Sequence, residues 1–581
     1  MKEKIQESLL KVLGDLYNND EFNIDDYVIN IQDNKEKEHG DLASNIALIL
    51  AKPLKRAPKE IASEIKDNFL TDEEIIKVDV AGPGFINFYL SKKSHGLVLK
   101  EIHDKKERFG KITANKKKVL IEYVSSNPTG PLHVGHGRGA VFGSVLSSLL
   151  KEAGFEVDEE YYVNDFGRQM NILAASLWIR YAQIFNSEIK MIKNGYQGEY
   201  LISIAESLKK IQLDDLYTKD KDIEELLNQE VADNEELTDR IVEAIKSKLG
   251  DQFLDIKDFA LKEILKLIKE DLLDFGVEHN KWFSESSLYE NKQNHNSKVD
   301  QAIKELKEKG FVYEKEGATW FKSTNFEDDK DRVLKRGNGE YTYFASDVAY
   351  HLDKYDRGYD RVINIWGSDH HGYLPRVKAA MEACDRNIDQ LELVFIQFAN
   401  LIRAGKKVTM STRSGEFITL KELIEEVTAE AARFFYINRK ADQHLDFDLD
   451  LAKDQSKDNP LYYIQYAHAR ICSVLRKSNV QEKELGLSEI NLLDSDKEIE
   501  IQKMLKQYPV LIERAALSSE PHLICYYLKD LASIFHSYYN TEKFIVEDLK
   551  LMRARLLLLT GVKQVIQNGL SILGISAPQE M

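Results

Sequence analysis

His133 and His136 stand three residues apart around Val134-Gly135, directly after Ser126-Asn127-Pro128-Thr129-Gly130-Pro131-Leu132. At that spacing two imidazoles share one face of a helix start, and each neutral ring offers one N–H to an oxyanion such as a phosphate. Residues 119–124 (VLIEYV) are short, apolar and β-branched, as a central parallel strand is, whereas 139–150 carry apolar residues at helical spacing. The loop between them opens a helix, where unpaired backbone N–H groups and the helix dipole attract anions. Small Gly135 lets an adenosine approach the backbone closely. These residues read as a nucleotide-phosphate site.

Other readings stay open on these residues alone. Gly135, Gly137 and Ala140 fit a dinucleotide fingerprint, with Glu156 or Asp158 downstream for a ribose hydroxyl. That fingerprint follows its strand directly, however, and here Asn127 to His133, with two prolines, intervene. Asp369-His370-His371 has the chemistry to join both histidines around a zinc ion, although nothing in the spacing demands it. The plainest alternative is a pair of surface histidines beside a loop.

Composition and periodicity outline the scaffold around these groups. A chain of 581 residues is too long for one core, and roughly three or four domains are expected. The three cysteines, Cys384, Cys472 and Cys525, are far apart and form no CxxC pair, against both a disulfide framework and a cysteine zinc site. A reducing cytoplasm is the expected compartment. The first residues lack the apolar core of a signal peptide, and no run is long enough for a membrane span. A net charge of −17 argues against indiscriminate nucleic-acid binding, but much of the acidity sits in 213–236, a solvated helical stretch, so a local basic face is compatible with it.

Residues 1–111 read as an α+β module, with helices over 41–50 and 58–69 and paired strands over 77–80 and 84–89. Over 112–455, strands at 119–124, 159–163, 362–366 and 393–398 alternate with helices, the pattern of an α/β, Rossmann-like doubly wound parallel sheet. An almost wholly helical insertion, about 183–290, interrupts it. Residues 456–581 show only helical patterns, at 460–475, 495–508, 521–539 and 546–573, which predicts an all-α bundle.

Leu132-His133-Val134-Gly135-His136 resembles the first signature of class I aminoacyl-tRNA synthetases, and Gly405-Lys406-Lys407-Val408-Thr409-Met410-Ser411-Thr412-Arg413-Ser414-Gly415 resembles the second. The arginyl-tRNA synthetase family in particular is matched by Asn127-Pro128-Thr129-Gly130-Pro131, Tyr161 to Gln169 (YYVNDFGRQ), Trp366 to Tyr373 (WGSDHHGY) and Gln465 to Arg470 (QYAHAR). His39-Gly40-Asp41, Asn45-Ile46-Ala47 and Ala81 to Phe88 (AGPGFINF) resemble that family's extra tRNA-contacting domain, so the resemblance covers essentially the whole chain.

The resemblance implies ATP-dependent attachment of L-arginine to tRNA(Arg) through arginyl-adenylate, with Mg²⁺ accompanying ATP, no protein-held metal, and a monomer. It implies that His133, Gly135, His136, Asp369, His370, Met410, Ser411, Thr412 and Arg413 bind ATP. Glu122, Ser125 and Asn127 would hold the α-ammonium and carboxylate of arginine, with Asp369 nearby, and Tyr343 and Asp347 would take the guanidinium. Such a group is a permanently charged fork of donors, so a selective pocket needs carboxylates and other acceptors. Taken without the family, Tyr343 and Asp347 are an ordinary amphipathic helix with a surface acid.

A lysine is frequent in the family where Thr412 stands, and members lacking it place another shortly before the first signature, where this chain has Gly130. Arg413, Lys406 and Lys407 are the cations left to help pyrophosphate depart, Arg413 foremost beside His133 and His136; Lys406 and Lys407 are equally readable as a solvated charge pair. Tyr466, Arg470, Arg476 and terminal Met581 are the tRNA-contacting candidates, among helical tyrosines that are mostly core. A non-catalytic tRNA-binding relative is the main rival function, and an NAD-dependent oxidoreductase a more distant one.

Overall fold

Val119, Leu120 and Ile121 have no exposed surface, because the strand they form, Lys118–Glu122, lies in the middle of a five-stranded sheet. The spatial order is Leu391–Ile396, Arg361–Gly367, Lys118–Glu122, Glu156–Val163, Lys281–Ser284, and every neighbouring pair is parallel. Chain order runs outward in one direction from Lys118–Glu122 and in the other from Arg361–Gly367. The switch point therefore falls between those two strands, and ligands of open α/β sheets bind in the crevice beyond it. Glu122 faces Asn364 in register at that crevice. The computed structural model describes residues 1–18, 23–34, 37–212, 216–217, 220–229, 234–290, 296–408, 418–481, 484–485 and 487–581.

The helix Val134–Glu152 follows the central strand and is buried along most of its length. Its Gly137 and Gly143 leave room for the rings of Tyr436 and Tyr123, which approach where a Cβ would stand. Helix Arg168–Gln183 leads into the inserted segment, which supplies helices Tyr200–Gln212, Lys221–Asn228, Asn234–Leu249 and Gln252–Asp274. Two expectations need correction here. Within 41–50, expected to be helical, Leu42–Ser44 is a strand too short to show a period, and the helix starts only at Ile46. Strand Lys281–Ser284 falls inside the stretch expected to be helical and forms an edge of the central sheet, beside Glu156–Val163. Its four residues, KWFS, are too few to show a strand period, and an edge position requires no long apolar run.

Residues 1–90 form an antiparallel four-stranded sheet packed on helices Lys2–Tyr17, Ile46–Leu54 and Pro58–Asn68, with its own core around Leu9, Ile46, Ile61 and Phe88. At the other end, helices Pro460–Ser478, Asp496–Leu517, His522–Thr541 and Leu549–Ile572 make a bundle. Its core is continuous with that of the sheet.

Candidate functional site

The two histidines are held as a unit. Their rings stack with centroids 3.8 Å apart, His133 Nδ1 accepts from the Gly135 N–H at 3.1 Å, and His136 Nδ1 accepts from the His133 N–H at 3.3 Å. An Nδ1 that accepts leaves the ring proton on Nε2, so each imidazole is a neutral donor through Nε2. Burial keeps both neutral: the His133 pKa is lowered, and that of His136 falls to about 3, with the neighbouring His133 as a second cause. A Cβ at position 135 would sit 2.7 Å from the His133 ring, so glycine there serves the histidine itself.

The expected row of unpaired N–H groups at this helix start is not found. The Val134 N–H donates to the Ile418 carbonyl, that of Gly135 to His133 Nδ1, and that of His136 to the His133 carbonyl. Anion attraction must then come from the ring N–H groups and the helix dipole.

Beyond the central strand the backbone turns through two left-handed residues, Val124 at φ +70° and Ser125 at φ +40°. A β-branched residue there is strained, a condition that clusters at functional sites. The turn sets Ser125 Oγ where it donates to Glu122 Oε1 at 3.0 Å and accepts the Tyr162 N–H at 3.1 Å. Glu122 Oε2 takes the ammonium of Lys354 at 2.5 Å, and the same ammonium donates to Asn364 Oδ1 at 2.7 Å. Lys354 is wholly buried. Asn127, expected beside these groups, is exposed and accepts from Asn164 Nδ2 at 3.0 Å.

Helix Tyr343–Asp356 carries Asp347 and Lys354 seven residues apart on the face toward the sheet. Asp347 is not a mere surface acid. Burial pushes its carboxyl up to about 7, with the Glu122 carboxylate as the next cause. Glu285, which sequence reasoning missed, is 2% exposed; burial and then Asp347 raise it to about 7 as well, and its Oε2 has no hydrogen-bond partner. Tyr162 and Tyr289 stand beside these carboxyls, and Tyr343, a neighbour of Tyr289, is 60% exposed. Two carboxyls held near neutrality, one with an orphaned acceptor, fit an incoming planar cation. Glu285 follows directly on strand Lys281–Ser284, so the missed strand and the missed acid are one omission.

Asp369 and His370 sit on the short turn after strand Arg361–Gly367, at the switch point, both largely exposed, with His370 Nε2 3.7 Å from Asp369 Oδ2. Among the described residues no three His, Cys, Asp or Glu side chains converge as metal ligands would. Met410, Ser411, Thr412 and Arg413 lie outside the described residues. Lys406 and Lys407 form an exposed strand leading to them. Gly130 could not carry a compensating lysine unaltered, since a Cβ there would stand 3.1 Å from the Tyr200 hydroxyl.

In the bundle, the Arg470 guanidinium lies 4.6 Å from the ring centroids of both Tyr466 and Tyr539, and Tyr462 stacks on Tyr466. Tyr527 and Tyr538 are core residues instead. Arg476 is engaged with the chain terminus, donating to the Gln579 carbonyl at 3.2 Å and pairing with Glu580 at 3.3 Å, while Met581 is half exposed.

Comparison with known proteins places three family models end to end: "Arginyl tRNA synthetase N terminal domain" over residues 1–90, "tRNA synthetases class I (R), catalytic domain" over 98–448, and "DALR anticodon binding domain" over 464–581. An arginine–tRNA ligase of Hydrogenovibrio crunogenus is 50% identical over 568 residues, 95% of each chain. One from Legionella pneumophila is 48% identical over the whole of both. The solved arginyl-tRNA synthetase of Thermus thermophilus covers both chains completely with a TM-score of 0.72 at 20% identity, which shows the shared fold.

Proposed function

The chain belongs to the arginyl-tRNA synthetase family and is a class I arginine–tRNA ligase using ATP, and from that premise we propose how its residues divide the work. The observation that carries the proposal is a neutral imidazole pair on the loop after the central strand together with an acidic group, beyond the end of the edge strand of the same sheet, that holds an unpartnered carboxylate oxygen.

Asp347 and Glu285 receive the guanidinium of arginine, with Tyr343 closing the mouth. Ser125 and Glu122, fixed by the Val124-Ser125 turn and by Lys354, orient its α-ammonium and carboxylate, with Asn127 and Asp369 at the rim. His133 and His136 donate Nε2–H bonds to the ATP phosphates, and Gly135, His370 and Asp369 border the nucleotide, together with Met410, Ser411 and Thr412. The arginine carboxylate attacks the α-phosphorus, forming arginyl-adenylate and releasing pyrophosphate; a tRNA ribose hydroxyl then attacks the adenylate carbonyl and AMP departs. No side-chain nucleophile is needed, so catalysis rests on positioning and on charge stabilisation at the phosphates, to which Arg413 contributes.

Mg²⁺ would arrive with the triphosphate. The described residues offer no three-ligand cage for it, and no step is assigned to it. Tyr466 and Arg470 form a platform for unstacked tRNA bases; Arg476 holds the tail that presents Met581. Residues 1–111, 112–455 and 456–581 are read as the working units of a cytoplasmic monomer; no helix among the described residues is long and apolar enough to cross a membrane.

The test is ATP–pyrophosphate exchange and aminoacylation across all twenty amino acids with total tRNA. Exchange that requires arginine, and falls at least tenfold in both His136→Ala and Glu285→Gln, is the expected result. Wild-type exchange in Glu285→Gln would remove that acid from the pocket's role.

A further inference from the structure

The helical insertion grips the first signature by backbone groups on both sides of Gly130-Pro131. On one side the Tyr200 hydroxyl donates to the Thr129 carbonyl at 2.5 Å, its ring lying over Gly130. On the other the Asp271 carboxylate, near the end of helix Gln252–Asp274, accepts the Leu132 N–H at 3.1 Å. Leu132 immediately precedes His133, and Pro131 before it has no N–H. The Leu132 N–H is therefore the last backbone donor before the imidazole pair.

Asp271 is 9% exposed, and burial raises its pKa, with Glu270 and Asp274 adding repulsion and Lys421 opposing them. A buried acid facing one neutral N–H is a costly way to satisfy that donor. The next backbone groups, the Leu132 carbonyl and the Val134 N–H, are bonded to Leu420 and Ile418, just beyond the second signature segment. The loop bearing His133 is thus strung between the insertion and the chain that follows that segment.

We propose that Asp271 and Tyr200 are positioning residues, through which the helical insertion sets the affinity of the imidazole pair for the ATP triphosphate. The proposal rests on the reading of His133 and His136 as phosphate ligands. Fixing the loop keeps both Nε2–H groups aimed at one anion, and a misplacement on the order of 1 Å can cost about 10²-fold in rate. The arginine pocket, built on Glu122, Glu285 and Asp347, has no bond to either positioning residue among those described, so arginine affinity is left alone.

The experiment measures ATP–pyrophosphate exchange by the full chain, with saturating arginine and tRNA, in Asp271→Leu, Asp271→Asn, Tyr200→Phe, the Asp271→Leu/Tyr200→Phe double variant and His136→Ala. Thermal melting checks that each folds. Asp271→Leu and Tyr200→Phe should each raise KM for ATP about five- to tenfold and leave KM for arginine within about twofold. Asp271→Asn, whose amide oxygen still accepts the Leu132 N–H, should return to within about twofold of wild type, and the double variant should lose less than the product of the singles. The proposal is overturned if KM for ATP stays at wild type in Tyr200→Phe and in any Asp271→Leu that folds while His136→Ala raises it, if the two KM values move together, or if asparagine fails to rescue. An unchanged KM for ATP in His136→Ala would instead bring down the phosphate reading, and this proposal with it.

Discussion

Asp347 stands close enough to Glu285 for its charge to raise the Glu285 carboxyl, and of the two cations that act on Asp347, Arg376 and Lys354, the latter is already committed to Glu122. Both carboxyls are raised to about 7 from ordinary values near 4. The sign follows directly: between about pH 4 and 7 the folded chain holds protons that the unfolded chain has released, so this pair's contribution to stability is greatest at low pH and lost as pH rises through 7. On the proposed reading arginine reverses the balance, because its guanidinium would bind the ionised pair. Its affinity should fall as pH drops below 7, by about tenfold per pH unit for each proton that binding must expel, and level off above. Calorimetric titration in buffers of different ionisation enthalpy should detect proton release near pH 6. An arginine Kd constant from pH 6 to 8 would contradict this account of the pocket. Arg413 invites a second measurement, since the sequence has Thr412 where a lysine is frequent and Tyr200 crowds Gly130 where a substitute would stand. Arg413→Ala should slow pyrophosphate exchange by at least tenfold, and a rate within about twofold of wild type would reassign the leaving-group cation to Lys406 or Lys407.

The central strand and the signature helix meet at Gly143, where an added Cβ would lie 2.2 Å from Cγ of Tyr123. Alanine ordinarily favours a helix over glycine by about 1 kcal/mol. Here the ring cannot yield, because Tyr123 is wholly buried and its hydroxyl donates to Glu159 at 2.6 Å. Gly143→Ala should therefore destabilise the chain by about 1–3 kcal/mol and push the signature helix off the strand that carries Glu122, lowering melting temperature and exchange rate together. A variant more stable than wild type would refute the close packing. The same two elements explain what the sequence disclosed. Strand 119–124 was legible as a short apolar run and helix 139–150 by its apolar spacing; the structure shortens the strand to Lys118–Glu122, ending it before the Val124-Ser125 turn, and lengthens the helix to Val134–Glu152. The His133/His136 pair was legible from spacing, but its Nδ1 acceptors were not, since a backbone N–H turning onto a ring leaves no compositional trace. Strands Ile31–Asp33 and Lys281–Ser284 escaped because three or four residues show no period, and Glu285 went with the latter. Lys354 was hidden by the prior that lysine faces solvent. Its polar neighbours Asp347 and His351 recur at helical spacing on the buried side of one helix, and that was the available signal.

Three parts of the chain converge on one side chain. Arg433, 3% exposed on helix Ala429–Ile437, donates through Nη2 to Ser144 Oγ of the signature helix at 3.0 Å, through Nη1 to the carbonyls of Phe275 and Gly276 just after the insertion's helix Gln252–Asp274, each at 3.0 Å, and through Nε to the Leu573 carbonyl at the end of the bundle at 2.8 Å. Among the described residues no carboxylate pairs with it, and burial lowers its pKa to about 10, so at neutral pH it remains a charged cap on carbonyls. A buried cation without an anion is expensive, and it persists because three helix-end carbonyls and a hydroxyl share it. The bundle and the sheet also share an apolar core, which gives association but no fixed angle. Directional bonds from one planar group supply the angle, and hence the distance from Tyr466 and Arg470 to the imidazole pair. Arg433→Met keeps most of the volume and removes every donor. It should cost on the order of 3 kcal/mol, because orphaned buried acceptors are left behind, and calorimetry should resolve the bundle melting ahead of the sheet. Aminoacylation should fall more than pyrophosphate exchange, since the tRNA must bridge both parts. If Arg433→Met melts in the same transition as wild type, within about 2 °C, the apolar core alone fixes the two parts, and Arg433 merely caps helix ends.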